Sequence, residues 1–437
     1  MAVLASRIGD LGTENAFEIG KDIARLEAQG RTIIRFNIGQ PDFPSPPHID
    51  REGIRQIEAG NTQYVDPAGI LSLRKAIADH LRTTRGLEVD PARVVVTAGA
   101  KPPIGLTVLT YVNRGDEVIY PSPGFPIYES WVRFVGAVPV PLRLREERDF
   151  AFSPQELAAL ITPRTKLIIL NSPSNPTGGV LSKEDLEGIA RVIREKAPPD
   201  VRIYSDEIYE QILFDGAEHR SIASEVGMEA LTVVASGHSK GFGMTGWRLG
   251  WAVLPNSVEA EVFTRFNINT VSCVPPFIQE AGREAYENPA TAPVVARMVQ
   301  AFQERRDWVV PALNRIPGVT CRTPLGTFYV FPNVEGYCRN LGILEAHAAM
   351  DEEERARTSP STMLQMFLLY RYGIATMDRR SFNRIGSEGE HYLRLSIANS
   401  MEELRKGVAL MEEAAADREG FASFLEEAPH VGGPSKT

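Results

Sequence analysis

Between residues 93 and 254 the chain alternates short apolar runs with longer stretches in which apolar residues recur at helical spacing. The runs are RVVVT (93–97), DEVIYP (116–121), KLIILN (166–171), VRIYSD (201–206), LTVVAS (231–236) and RLGWAVL (248–254). Several are continuously apolar rather than alternating, the pattern of strands covered on both faces. The stretch KEDLEGIARVIREKA (183–197) has the helical spacing. Ser182 stands at its start with Asp185 three residues on, a variant of the capping box. Strand, helix and strand in succession predict a largely parallel sheet with helices on both faces.

The two ends of the chain read differently. Residues 1–48 hold one helical segment (18–29), a strand TIIRFNIG (32–39) and a Pro-rich loop, QPDFPSPP. From about residue 292 come a long amphipathic helix, short strands TFYVFP (327–332) and HYLRLSIA (391–398), and a closing helix MEELRKGVALMEEAAA (401–416). These ends predict a smaller α+β domain, 1–48 with 292–437, built around a large domain at 49–291. The stretch LGILEAHAAMDEEERARTSP (341–360) reads as a charged helical insertion on the surface, and HVGGPSKT (430–437) as a frayed tail.

Five of the apolar runs lead directly into unusual polar or Gly/Pro-rich segments. They are AGAK (98–101), SPGFP (122–126), SPSNPTGG (172–179), DEIYE (206–210) and SGHSKG (236–241). Open α/β sheets bind ligands outside the carboxyl ends of their strands, so five such loops predict one shared crevice.

Composition narrows the classes. A chain of 437 residues, 43% hydrophobic, exceeds one small core. With a net charge of -9 and no dense Lys/Arg cluster it has no electrostatic reason to bind nucleic acid, and neither end supplies a basic DNA-binding appendage. No uninterrupted apolar run approaches membrane-spanning length and the first twenty residues lack a signal-peptide core, so neither a leader nor a membrane partner is expected. Cys273, Cys321 and Cys338 are odd in number and far apart, which suggests reduced thiols and the cytoplasm. The seven histidines form no HExxH or Cys/His cluster, so no metal is expected.

One segment offers two chemistries. GHSKG (237–241) fits the G-x-S-x-G nucleophile elbow of serine hydrolases, with Ser239 as nucleophile. An elbow needs a helix after the turn, yet GFGMTGWRLG (241–250) holds four glycines and runs into another strand. Asp378 and His391 follow in the order a hydrolase requires, a weak signal. The neighbouring Lys240 explains more residues. A lysine desolvated at a strand end has a lowered pKa and can form a Schiff base, and its natural partner is pyridoxal 5'-phosphate. That cofactor asks for an amine, a carboxylate at its ring nitrogen, N–H groups and cations at its phosphate, and a flat stacking partner. Candidates stand on the strand-end loops: Lys240; Asp206; the turn Gly99-Ala100-Lys101 with Arg248; Phe125; and Tyr209 with Asn175 for the ring oxygen.

SPSNPTGG, SDEIYE and SGHSKGFGMTGWRLGW together resemble the class I aminotransferases, fold-type I pyridoxal phosphate enzymes. The likeness runs from IGQPDF (38–43) to HYLRLSIAN (391–399), and TQYVDPAG (62–69) with VVVTAGAK (94–101) are similar to the branch holding bacterial aspartate and aspartate/prephenate aminotransferases. The resemblance implies an α/β fold with a mostly parallel seven-stranded sheet plus the smaller α+β domain. It implies that Lys240 is the Schiff-base lysine and general base, that Asp206 holds the pyridinium, and that Tyr209 and Asn175 bind the ring oxygen. Phe125 would stack on the ring and Arg248 bind the phosphate. Tyr64 would reach the phosphate of a neighbouring subunit, making a homodimer with shared active sites. Arg394 would clamp the substrate α-carboxylate, Gly39 lie against the substrate, and Lys101 read a second carboxylate. One position departs: relatives often carry Ser where this chain has Gly237. The implied reaction moves an amino group from an L-amino acid, aspartate or another dicarboxylic donor first, to a 2-oxo acid such as 2-oxoglutarate in a ping-pong cycle. β-Elimination or amino-acid oxidation on the same fold is the alternative.

Overall fold

The structure is a computed structural model that describes residues 3–427; HVGGPSKT lies outside them. Its centre is a seven-stranded sheet in the order Val94–Thr97, Gly250–Val253, Thr232–Gly237, Arg202–Asp206, Thr165–Asn171, Glu117–Ser122, Val138–Arg143. Gly250–Val253 runs antiparallel to both its neighbours and the other pairs are parallel. All six apolar runs form strands. Val94–Thr97, Glu117–Ser122, Thr232–Gly237 and Gly250–Val253 are buried at every position, as expected of a sheet covered on both faces. The seventh strand, VPVPLR, had no such signature. Pro139 and Pro141 cannot donate to a ladder, and the strand pairs on one side only, at the sheet edge where prolines are tolerated.

The helices form where the pattern put them. Lys183–Lys196 starts on the reciprocal Ser182/Asp185 capping box and buries Leu186, Ile189, Ala190 and Ile193, one stripe at helical spacing. That stripe packs in one apolar cluster with Ile168 and Ile203 of the sheet. The same cluster takes in Ile19 and Ile23 from the helix Asn15–Ala28 and Met377 and Phe382 from the C-terminal part, so packing is continuous across the expected boundaries at 48 and 291.

The flanking strands are shorter than their sequence runs. Residues 32–39 shrink to Ile34–Arg35 beside Ile374–Ala375, and Met377–Asp378, Leu393–Ser396 and Tyr329–Val330 form a small antiparallel sheet. The reason lies just past Arg35, where the Phe36 carbonyl accepts from the Ser396 N–H and the Asn37 carbonyl from the Arg394 guanidinium. Backbone that could have extended a ladder is spent at the site. The 341–360 insertion is only half as expected. Asp351–Arg357 is exposed throughout, but Ile343 is fully buried and Leu344, Ala346 and Met350 pack against the core. Cys273, Cys321 and Cys338 are all free thiols, and no described helix is long and apolar enough to cross a membrane.

Behind the strand end at Asp206 lies a buried ionic network. Arg85, at the end of the helix Leu71–Arg85, donates to Glu207 at 2.7 Å and pairs with Glu210. His219 meets Glu207 at 2.9 Å and His80 meets Glu210 at 3.1 Å. Burial would push both acids up, but Arg85 with His219 brings Glu207 down to about 2, and Arg85 with His80 holds Glu210 well below the usual range. Removing the one arginine leaves two buried carboxylates, each with a histidine as its remaining ring partner and no guanidinium between them. Arg85→Ala is therefore expected to lower unfolding stability by about 3–5 kcal/mol. A denaturant titration checks this, and a loss under about 1 kcal/mol would show that the pairs contribute no more than surface ones.

Candidate active site

Lys240 follows the central strand Thr232–Gly237 by three residues. The turn that carries it is fixed from below by His238, which is fully buried and bonds the Gly282 carbonyl at 3.1 Å. Burial drives this imidazole down to about 4, so it is a neutral packing group. The Lys240 ammonium donates to the Gly39 carbonyl and lies 5.9 Å from the rings of Tyr209 and Phe328. Desolvation pulls its pKa to about 8; the cations Arg394, Arg248 and Lys101 push the same way and Glu14 opposes them. Near neutral pH the amine therefore keeps a far larger uncharged, nucleophilic fraction than an ordinary lysine, though most of it is still protonated. Between Gly237 and Gly250 there is no helix, so Ser239 lacks the N-terminus that an elbow nucleophile uses, and Asp378 is committed to Ser381 and Thr362.

Asp206 ends the adjacent strand, in register with Ala235. The residue is 5% exposed, and its carboxylate accepts from the Tyr128 hydroxyl at 2.7 Å and takes a longer bond from the Ile208 N–H. Burial raises its pKa to about 6 against the pull of those two donors. Holding it ionised at neutral pH costs the fold roughly 3 kcal/mol. A buried anion with a single side-chain donor is a socket for a cationic N–H.

Arg394, on Leu393–Ser396, is buried between the ring of Tyr329 at 4.2 Å and that of Phe382 at 4.9 Å. One terminal nitrogen donates to Asn175 Oδ1 at 3.1 Å and the other to the Asn37 carbonyl at 2.8 Å. Its Nε is buried without a partner, and so is Asn37 Oδ1. An orphaned donor on a guanidinium flattened between rings fits a carboxylate ligand. Asn175 is itself placed by its backbone N–H on Asn171 Oδ1 at 2.9 Å.

Three glycines meet at the far end of the crevice. Gly99 has φ +93°, and a Cβ there would come within 2.3 Å of Arg248 Nη2. Arg248 is itself at φ 55° and bonds the Thr245 and Ala98 carbonyls, so the guanidinium is braced across the Gly99 turn. The helix Pro102–Tyr111 opens with two prolines, which have no N–H, so donors for an anion come from Ala100 and Lys101 in the turn. A Cβ on Gly237 would stand 2.8 Å from Gly250 Cα and 2.9 Å from the Leu249 carbonyl. That backbone contact keeps the position glycine, since no side chain fits without moving a strand.

Brought together at these strand ends are therefore Lys240, Asp206, Tyr209, Asn175, Arg394, Arg248, Gly39 and the Gly99–Lys101 turn. Phe125 sits at the margin, its ring edge-on to Tyr128 at 5.8 Å and 5.6 Å from the Lys101 ammonium. Tyr64 is 86% exposed and touches none of these groups. Gly39 has a neighbour in its own chain, because a Cβ there would lie 2.7 Å from the Tyr329 hydroxyl. Tyr329 also bonds the Tyr209 hydroxyl at 3.0 Å and was invisible in TFYVFP, which reads as plain strand. Tyr128 could have been found, being one helical turn past Phe125. Glu14, which pairs with Lys101, belongs to no motif.

Two outcomes follow from these environments. In protein without added aldehyde, acylation of Lys240 read by mass spectrometry is expected to rise through pH 8, where the amine loses its proton, rather than near 10.5. Arg394→Leu moves that midpoint upward by removing a neighbouring cation. Tyr128→Phe strips a stabilising donor from the anion and raises the pH at which Asp206 ionises, measurable by carboxyl NMR. A midpoint unchanged in that variant would exclude Tyr128 as the group that holds the acid down.

Comparison with known proteins agrees with this geometry. The family model for aminotransferase class I and II matches residues 31–409. A probable aspartate/prephenate aminotransferase of Aquifex aeolicus is 35% identical over 412 residues, covering 94% of this chain and 98% of that protein. An aromatic-amino-acid aminotransferase of Thermococcus litoralis is 34% identical over 393 residues, 90% and 94% of the two chains. Among solved structures, the aspartate aminotransferase of Thermus thermophilus with maleate superposes with a TM-score of 0.82 at 31% identity, covering 95% of this chain and 100% of that one. With its lysine and buried acid on neighbouring strand ends and a match across most of its length, the chain belongs to the class I and II aminotransferases, in the aspartate aminotransferase branch.

Proposed function

We propose that this aminotransferase binds pyridoxal 5'-phosphate on Lys240 and Asp206 and transfers the amino group of an L-amino acid, with dicarboxylic donors such as aspartate first, to a 2-oxo acid such as 2-oxoglutarate. The observation that carries it is the opposed pair at adjacent strand ends, an acid raised to about 6 and an amine lowered to about 8. When bound, the cofactor supplies an aldehyde that joins amines and a ring that draws electrons from the substrate Cα. Asp206 would keep a proton on the ring nitrogen, Tyr209 and Asn175 would hydrogen-bond the ring oxygen, and Phe125 would stack on the ring. Arg248 with the N–H groups of the Gly99–Lys101 turn would hold the phosphate. The Arg394 guanidinium would fork onto the α-carboxylate and fix the Cα beside Lys240, whose neutral amine would take and hold the Cα proton. A 2-oxo acid would bind in the same position, its carboxylate on Arg394.

Lys101 and the maleate carried by the Thermus thermophilus relative favour a dicarboxylic substrate. Tyr64, exposed in the single chain, supports a homodimer in which it serves the partner's phosphate site. Three free thiols support a cytoplasmic location.

A half-reaction screen tests the proposal. Each amino acid is mixed with the holoenzyme and the visible cofactor absorption followed; dicarboxylic donors should bleach it, and a 2-oxo acid should restore it. Lys240→Ala should retain the cofactor without bleaching, and Asp206→Ala should slow the half-reaction by roughly 10²–10³. Ammonia released without any 2-oxo acid would instead support β-elimination or oxidation. Near-normal turnover in Asp206→Ala would remove the acid from the mechanism.

A further inference from the structure

The chain ahead of the helix Asn15–Ala28 is tied down beside the crevice at two points. The Gly12 N–H donates to Ser130 Oγ at 2.9 Å, and Asn15 Nδ2 donates to Ser381 Oγ at 3.0 Å. Between these anchors stands Glu14. It occupies the N-cap position, yet its carboxylate caps none of the helix N–H groups and pairs with the Lys101 ammonium instead. The pair is accessible, with the Lys101 side chain 44% exposed and that of Glu14 21%. It also bears on the reacting centre, because the Glu14 charge acts on both Lys240 and Tyr329.

Lys101 is thus not a bare cation waiting for a ligand. An unpaired ammonium beside Phe125 would oppose any apolar side chain brought against it, since the cation would lose water without gaining a counter-ion. With Glu14 in place, the ammonium is already neutralised. A substrate carrying a distal carboxylate can take Glu14's position, exchanging one carboxylate for another on the same ammonium, while Glu14 turns to solvent. Ion pairs this exposed are weak, so the exchange meets little resistance.

We propose that Glu14 is a substrate-selecting residue. It neutralises Lys101 while an apolar or aromatic amino acid occupies the site, and yields Lys101 to the distal carboxylate of a dicarboxylic amino or oxo acid. This rests on the aminotransferase reading above, and gives its two half-reactions a way to accept partners of unlike charge.

The test uses the full-length holoenzyme and two unreactive ligands, succinate and 3-phenylpropionate, with binding measured by calorimetry at low salt. Glu14→Gln removes the internal competitor. Succinate should then bind about fivefold more tightly, and 3-phenylpropionate more weakly. Glu14→Ser should shift both ligands the same way, which guards against a local effect of the glutamine amide. In a Lys101→Met background, Glu14→Gln should move neither ligand. Equal shifts for both ligands, no shift for either, or an undiminished effect without Lys101 would each overturn the proposal. A wild-type protein that binds these ligands yet gives no half-reaction with any amino acid would refute the aminotransferase reading separately.

Discussion

The site depends on one constraint, that an acid and an amine on adjacent strand ends are both kept from their comfortable charge states. Water withdrawal makes the Asp206 carboxylate too basic and the Lys240 ammonium too acidic. Neither environment helps the protein to fold, so both need a scaffold that does not yield. The strand pairing that sets Asp206 opposite Ala235 supplies it, with the core on either face of the sheet. The next residue has the opposite fate. Glu207 points into the Arg85 network and is held fully ionised at about 2. Successive side chains of an extended backbone face opposite ways, so two neighbouring acids can be given contrary environments by the layers above and below. One is fixed as a structural anion, and the other is left in need of a cation.

A second constraint is close approach of backbone. A Cβ on Gly250 would fall 2.4 Å from the Gly99 carbonyl carbon, and one on Gly237 would run into Gly250. The turn at Gly99 is thereby pressed onto the antiparallel strand Gly250–Val253, and Arg248 arrives over it. A side chain at position 237 is incompatible with this packing. Charge and turn N–H groups are left to hold an anion there.

How much of this could be read from the chain follows from how local each signal is. The six buried strands were readable because an all-apolar run has few alternatives, whereas Val138–Arg143 was hidden by two prolines that only an edge excuses. Lys240, Asp206 and Asn175 stood out because polar or Gly/Pro-rich segments directly follow apolar strands there, whereas Arg394 was found only through the family resemblance. Tyr329 and Glu14 gave no sign. Tyr329 matters because it meets Tyr209 from 120 residues away, and Glu14 because it meets Lys101 across 87. Such pairings are fixed by tertiary packing and leave no periodicity. The 341–360 stretch was misjudged in part because its charge outnumbers the few apolar residues that anchor it.

The two ends of the crevice differ in the way an enzyme of amino acids requires. Every amino acid presents the same carboxylate beside Cα, and Arg394, proposed to meet it, is rigid: buried, set against two rings and held by two bonds with its Nε left open. A preorganised fork loses little entropy when it binds, so its affinity is uniform across substrates. Side chains vary, and the groups at the other end are exposed and exchangeable, a lysine and a glutamate whose partnership is cheap to break. Burial would fix that second end on one charge type and would exclude one class of partner. Leaving it near solvent keeps the penalty for either class small, and the chemistry between the two ends stays the same whichever side chain is present.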